Sequence, residues 1–201
     1  MKKVLVIHGG NTYDSHEEYV EYLKNKEVDL EKIRSSQGWK NSLEQTLGGE
    51  FEVYLPKMPL SDNAEYVLWE LWYKKVTEAL GFPKIVIGHS LGAMFLAKYY
   101  SENLSKEQLK ALFFVAPMYC GEGQTDYNCR SFSLEEDLHI LHKNAKNIHF
   151  FFSEDDVVVP YSNCAFFQKQ LPEAAFSHFK DRGHFNEEDF PELVDEIKKL
   201  A

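Results

Sequence analysis

The 201-residue sequence is poor in several things, and each scarcity removes a class of protein. Cysteine occurs three times, at Cys120, Cys129 and Cys164, with no C-x-x-C pair. An odd, dispersed set is read as free thiols in a reducing compartment rather than as a disulfide framework. No apolar stretch approaches the roughly 18 residues of a membrane span. The opening MKKVLVIHGG carries two lysines, but its apolar run ends at Ile7, short of the roughly seven residues of a signal-peptide core. Positive charge is in deficit: 22 Lys and Arg against 32 Asp and Glu leave a formal charge of −10, the wrong sign for a nucleic-acid or anionic-membrane partner. Walker, G-x-G-x-x-G and H-E-x-x-H motifs are missing, as are repeats and low-complexity tracts. The chain reads as soluble and cytoplasmic, with neither cofactor nor metal.

What is present is material for a core: 44% of residues are hydrophobic and 14% aromatic, and the length suits one domain over residues 1–201. Six short apolar runs recur at 4–9, 51–56, 84–90, 111–117, 148–153 and 174–180. Most are continuous rather than alternating, as in strands buried on both faces. Helical patterns lie between them. Trp39, Leu43 and Leu47 share one face, Val67, Leu71 and Trp72 another after an N-cap at Ser61 or Asp62, and Phe190, Leu193, Val194 and Ile197 a third. This alternation predicts an α/β fold, a mainly parallel six-stranded sheet with helices on both faces.

One strand-to-helix junction stands out. Residues 88–92 read GHSLG, a G-x-S-x-G pentapeptide. By chance it would occur in roughly one chain of this length in fifteen. Its place between a good strand and a good helix is a second requirement, and the sequence meets it. In a nucleophile elbow the serine sits in a strained turn, glycines two before and two after leave room, and the next helix aims its N–H groups at a developing anion.

A serine hydroxyl needs a base, and the base needs an orienting acid. Of the five histidines after Ser90, His149 and His178 fall inside predicted strands. His139 and His142 fall on a predicted helix among acids, where their spacing lacks a third metal ligand. His184, in KDRGHF, lies in a turn just past the last strand, where a base belongs. The acid should come from EDDVVVP, where Glu154, Asp155 and Asp156 compete; the D-x-x-V-P spacing selects Asp156. The oxyanion donors expected are the N–H of Leu91 and that of Gly10, with Gly9 and Asn11 beside it.

Together VLVIHGGN, IVIGHSLGA, SEDDVVVP and DRGHF resemble the α/β-hydrolase superfamily, and more narrowly the compact serine hydrolases typified by retinoblastoma-binding protein 9. The resemblance implies local strand order 2-1-3-4-5-6, with Ser90 as nucleophile, Asp156 as acid and His184 as base. Residues 11–50 are longer and more charged than a compact member requires, and 118–147 leave room for at most a small lid. Asn11, Tyr13, Met118, Tyr119 and Val157 are expected to line a pocket for an apolar acyl or aryl group. The resulting expectation is a serine hydrolase acting on a small carboxylic ester, thioester or amide through an acyl-enzyme. Two rivals share the fold: a non-catalytic interaction protein, and an acyltransferase with the same triad.

Overall fold

The computed structural model describes residues 1–28, 30, 38–120, 129–134 and 137–200. Six strands form one sheet: β1 (Lys2–Ile7), β2 (Phe51–Tyr54), β3 (Ile85–His89), β4 (Leu109–Val115), β5 (Ala145–Ser153) and β6 (Ala175–Phe179). Their order is 2-1-3-4-5-6, and every pairing is parallel. The sheet is thus more regular than the mainly parallel one expected. β3 lies between β1 and β4, with Ile87 opposite both Val6 and Phe113. Whatever follows its carboxyl end is therefore near the middle of the sheet edge.

The helices are α1 (His16–Asn25), α2 (Trp39–Leu47), α3 (Tyr66–Ala79), α4 (Leu91–Glu102), α5 (Leu141–Asn144), α6 (Asn163–Gln170) and α7 (Pro191–Lys198). Alternate strand residues face two separate cores. On one face Val4, Val6, Ile85, Ile87, Phe113 and Phe151 pack under α2 and α7 through Trp39, Leu43, Leu47, Phe190, Leu193 and Ile197. On the other, Leu5, Ile7, Val86, Phe114 and Phe150 pack under α3, α4 and α6. α4 is buried from Leu91 to Ala97; Ala93 and Ala97 let it lie close to the sheet.

α3 differs from its expected form. It starts at Tyr66 rather than just after Ser61 or Asp62, and it buries Tyr66, Trp69 and Tyr73. Val67, Leu71 and Trp72, the expected core face, are exposed. The segment YVLWELWY is apolar round most of its circumference, and edge-to-face contacts of Trp69 with Phe95 and Phe132 and of Tyr73 with Phe95 hold that side inward.

The segment 118–147, expected as at most a small lid, is described only in part. Residues 121–128 and 135–136 lie outside the described residues. In the described remainder a 3₁₀ turn at Arg130–Phe132 drives Phe132 against Tyr66 and Trp69, Leu138 and Leu141 are fully buried, and Ser131, Ser133, Asp137 and His139 are exposed. His139 stands in a turn, and only the single-turn α5 holds His142. Cys120 and Cys129, expected as free thiols, form a disulfide with Cα atoms 6.1 Å apart. Cys164 is free and buried, and burial pushes its thiol up to about 11.

Candidate active site

Ser90 occupies the junction of β3 and α4 at φ 56°, ψ −125°. A non-glycine residue there costs on the order of 1–3 kcal/mol and needs enforcement. The Ser90 N–H donates to the Val115 carbonyl at the end of β4 (2.9 Å), and its own carbonyl accepts from Ala93 and Met94. The flanking glycines explain why no larger residue fits. A Cβ on Gly88 would lie 2.5 Å from Ala93 Cα and 2.6 Å from Gly92 O. One on Gly92 would strike the carbonyl oxygens of Ile7 and His8. The elbow is thus wedged between its own helix and the end of β1.

Asp156 and His184 come together from the loops after β5 and β6. His184 Nδ1–H donates to Asp156 Oδ2 at 2.8 Å, with side chains 10% and 2% exposed. This leaves the Nε2 lone pair free to act as a base. Asp156 Oδ1 accepts from Val158 N–H and Val159 N–H at 2.8 and 2.9 Å, which fixes the carboxylate. Asp155, the rival acid, is exposed, yet it is not idle: its Oδ1 accepts from Ser153 Oγ at 2.6 Å and Gly183 N–H at 2.8 Å. Ser153 Oγ in turn accepts from Arg182 N–H. Asp155 therefore ties the loop after β5 to the turn after β6 and leaves Asp156 to meet the imidazole. Arg182 adds a fork to Glu192 and a bond to Glu187, anchoring the turn before Gly183 at φ 48°.

Ser90 and His184 line one cavity of about 600 Å³ at the carboxyl edge of the sheet. The loop His8–Gly9–Gly10 forms one wall. Gly9 approaches the serine so closely that a Cβ there would sit 3.0 Å from Ser90 Cβ. Asn11 N–H is already bonded to Ser61 O at 2.9 Å, whereas the N–H groups of Gly10 and Leu91 donate to nothing among the described residues. Asn11 and Met118 belong to the lining. Tyr13, Tyr119 and Val157 do not. Tyr13 packs with Tyr19 and Tyr22, and Tyr119 stacks on Phe166 at 4.7 Å. Val157 is 95% exposed because the turn closed by Asp156 sends Val158 to the cavity instead.

Three basic side chains in this wall were not anticipated: His8, Lys40 and His89. His89 Nε2–H donates to the His184 carbonyl at 2.8 Å, so its Nδ1 is the acceptor for Lys40 Nζ at 3.2 Å. His8 Nε2 accepts from Met58 N–H, and its Nδ1–H faces Gly9 O at 2.6 Å. Burial drives the pKa of His89 well below that of a free imidazole and lowers that of His8, so both are neutral. His89 stands inside the pentapeptide itself, the one signal that could have drawn attention to it.

These features define an α/β hydrolase, a doubly wound parallel sheet with a serine at the strand-to-helix elbow. Solved structures share the fold. The ydeN gene product of B. subtilis superposes with a TM-score of 0.72 at 16% identity, covering 100% of this chain and 98% of its own. Est1E from Butyrivibrio proteoclasticus, solved with ferulic acid, gives 0.61 at 14% identity over 100% and 88%. The chain belongs to the serine hydrolase family, whose model matches residues 32–199. Serine hydrolase RBBP9 of Rattus norvegicus is 28% identical over 165 residues, 81% of this chain and 84% of the relative.

Proposed function

We propose that the protein hydrolyses small carboxylic esters, thioesters or amides through an acyl-enzyme on Ser90. The observation carrying this reading is the buried His184–Asp156 pair at 2.8 Å, whose histidine lines the cavity that also holds Ser90 at its strained elbow. His184 Nε2 takes the Ser90 proton as Oγ attacks the carbonyl, and Asp156 stabilises the imidazolium that forms. The uncommitted N–H groups of Leu91 and Gly10 receive the oxyanion, Leu91 from the first position of α4. The imidazolium then protonates the leaving group. Water, deprotonated by the same base, releases the acid. Met94 and Met118 give the cavity adaptable apolar wall for the acyl or aryl part.

The test is a mutant cycle on 4-nitrophenyl esters. Residues that act as one unit are grossly non-additive. Ser90→Ala, His184→Ala and the double variant should each lose on the order of 10³-fold or more in kcat, and by similar amounts. Additive losses, or turnover surviving Ser90→Ala, would rule out the proposed triad.

A further inference from the structure

Lys40 takes no part in the chemistry above, yet it stands in the wall of the same cavity. It is the second residue of α2, whose first turn has no acidic side chain, so the partial positive charge of a helix N-terminus acts against it. Its Nζ donates to His89 Nδ1 and lies 4.9 Å from the Trp39 ring centroid. Burial pulls the ammonium down to about 8, which still leaves it charged at neutral pH. In a chain with 32 carboxylates, none of the described residues lining this cavity is acidic, and Lys40 forms no ion pair among the described residues. Among the described residues, the ionisable groups that face it or share its cavity are His8, His89 and His184, all bases. A half-buried cation with no counter-ion among the described residues is costly, and a ligand can supply the missing charge.

We infer that Lys40 is the counter-ion for a carboxylate carried by the substrate, which makes it a specificity-determining residue and narrows the substrates to esters or amides bearing a free carboxylate beside the scissile group. The inference rests on the Ser90 reading, because both groups share one cavity. An ammonium has three donors and His89 takes one, leaving two for a carboxylate. None of the described lining residues is an arginine, the usual partner of a phosphate fork.

The rival role is indirect: Lys40 could act only by holding His89, which holds the His184 carbonyl. Mono-4-nitrophenyl esters of a chain-length series of dicarboxylic acids are compared with their methyl-capped, uncharged counterparts, with intramolecular background hydrolysis subtracted. Wild type, Lys40→Met and Lys40→Arg are assayed, each checked for fluorophosphonate labelling at Ser90. A charge-assisted hydrogen bond predicts that wild type favours the charged ester by on the order of tenfold to a hundredfold in kcat/KM at some chain length. Lys40→Met should bring that ratio to about one, and Lys40→Arg should keep part of it. Equal losses on both substrates with the ratio intact would assign Lys40 to positioning alone and overturn the inference. So would a wild type with no preference anywhere in the series.

A binding arm needs no turnover and decides the matter if Ser90 fails to label. The free diacids are titrated calorimetrically into Ser90→Ala, with and without Lys40→Met. Binding weakened about tenfold or more by Lys40→Met upholds the carboxylate site; identical binding, or none to either, overturns it.

Discussion

Replacing Gly92 with alanine adds one methyl group, and the structure states what it meets. The new Cβ would lie 2.5 Å from His8 O, nearer still to Ile7 O, and 2.8 Å from the Ile7 carbonyl carbon. These are backbone atoms at the end of β1, so no side chain can swing aside. Reaching an ordinary contact of 3.4 Å requires α4 and the β1 end to part by about an ångström. Overpacking of that kind costs about 1–3 kcal/mol. In a chain of this size that is a fall in Tm of about 2–12 °C. The displaced atoms lead directly into Gly9, Gly10 and Leu91, so the proposed oxyanion donors move as well. A misplacement of about an ångström predicts on the order of a hundredfold loss in kcat/KM. Gly49→Ala is the control: its Cβ meets nothing within 4 Å, and stability should stay within about 0.5 kcal/mol. Thermal unfolding and hydrolysis of 4-nitrophenyl butyrate are measured on both variants. A Gly92→Ala protein matching Gly49→Ala in Tm, with turnover within about twofold of wild type, would refute the steric reasoning.

Other perturbations separate the remaining elements. Asp156→Asn presents an amide N–H to His184 Nδ1 and enforces the wrong tautomer, so kcat should fall on the order of 10⁴-fold. Asp155→Ala, which only unties two loops, should cost about tenfold or less in the same assay. Equal losses would mean the acid has been misassigned. Lys40 has a folded pKa of about 8 against an ordinary 10.5. Between these values the unfolded chain holds the extra proton, so its contribution makes stability rise with pH. Urea unfolding from pH 8 to 10.5 should therefore show wild type gaining on Lys40→Met; parallel curves would contradict the burial of this amine. Closing the nine-residue separation between Cys120 and Cys129 should contribute about 2–3 kcal/mol. Cys120→Ser should thus be less stable than wild type without reductant and equal to it in dithiothreitol, and a deficit that persists in dithiothreitol would deny the bond.

Much of the fold was legible because buried parallel strands leave continuous apolar runs. VLVI, IVIG and LFFV can scarcely be anything else, and GHSLG between two of the elements marks the elbow by sterics that glycine alone satisfies. The Asp156 and His184 loops were legible for a related reason: each is a short polar turn with Gly or Pro just past a strand. What stayed hidden depends on packing between distant segments. Lys40 lies fifty positions before Ser90 on a helix whose pattern, Trp39, Leu43 and Leu47, advertises only a core face; α2 brings it to His89 once the sheet has formed. The inward face of α3 was undecidable because apolar residues surround it. Val157 and Val158 differ by one position in a turn whose direction the carboxylate of Asp156 sets. The Cys120–Cys129 bond could not be separated from chance by a count of three cysteines.

Every proposed step begins with an activated serine at position 90. Intact mass spectrometry after exposure to a fluorophosphonate probe measures it directly, on wild type and on Ser90→Ala. A single adduct on wild type that maps to the peptide holding GHSLG, and none on the variant, is the predicted result. A folded wild type that takes no adduct, or a variant that is labelled equally, would contradict the account.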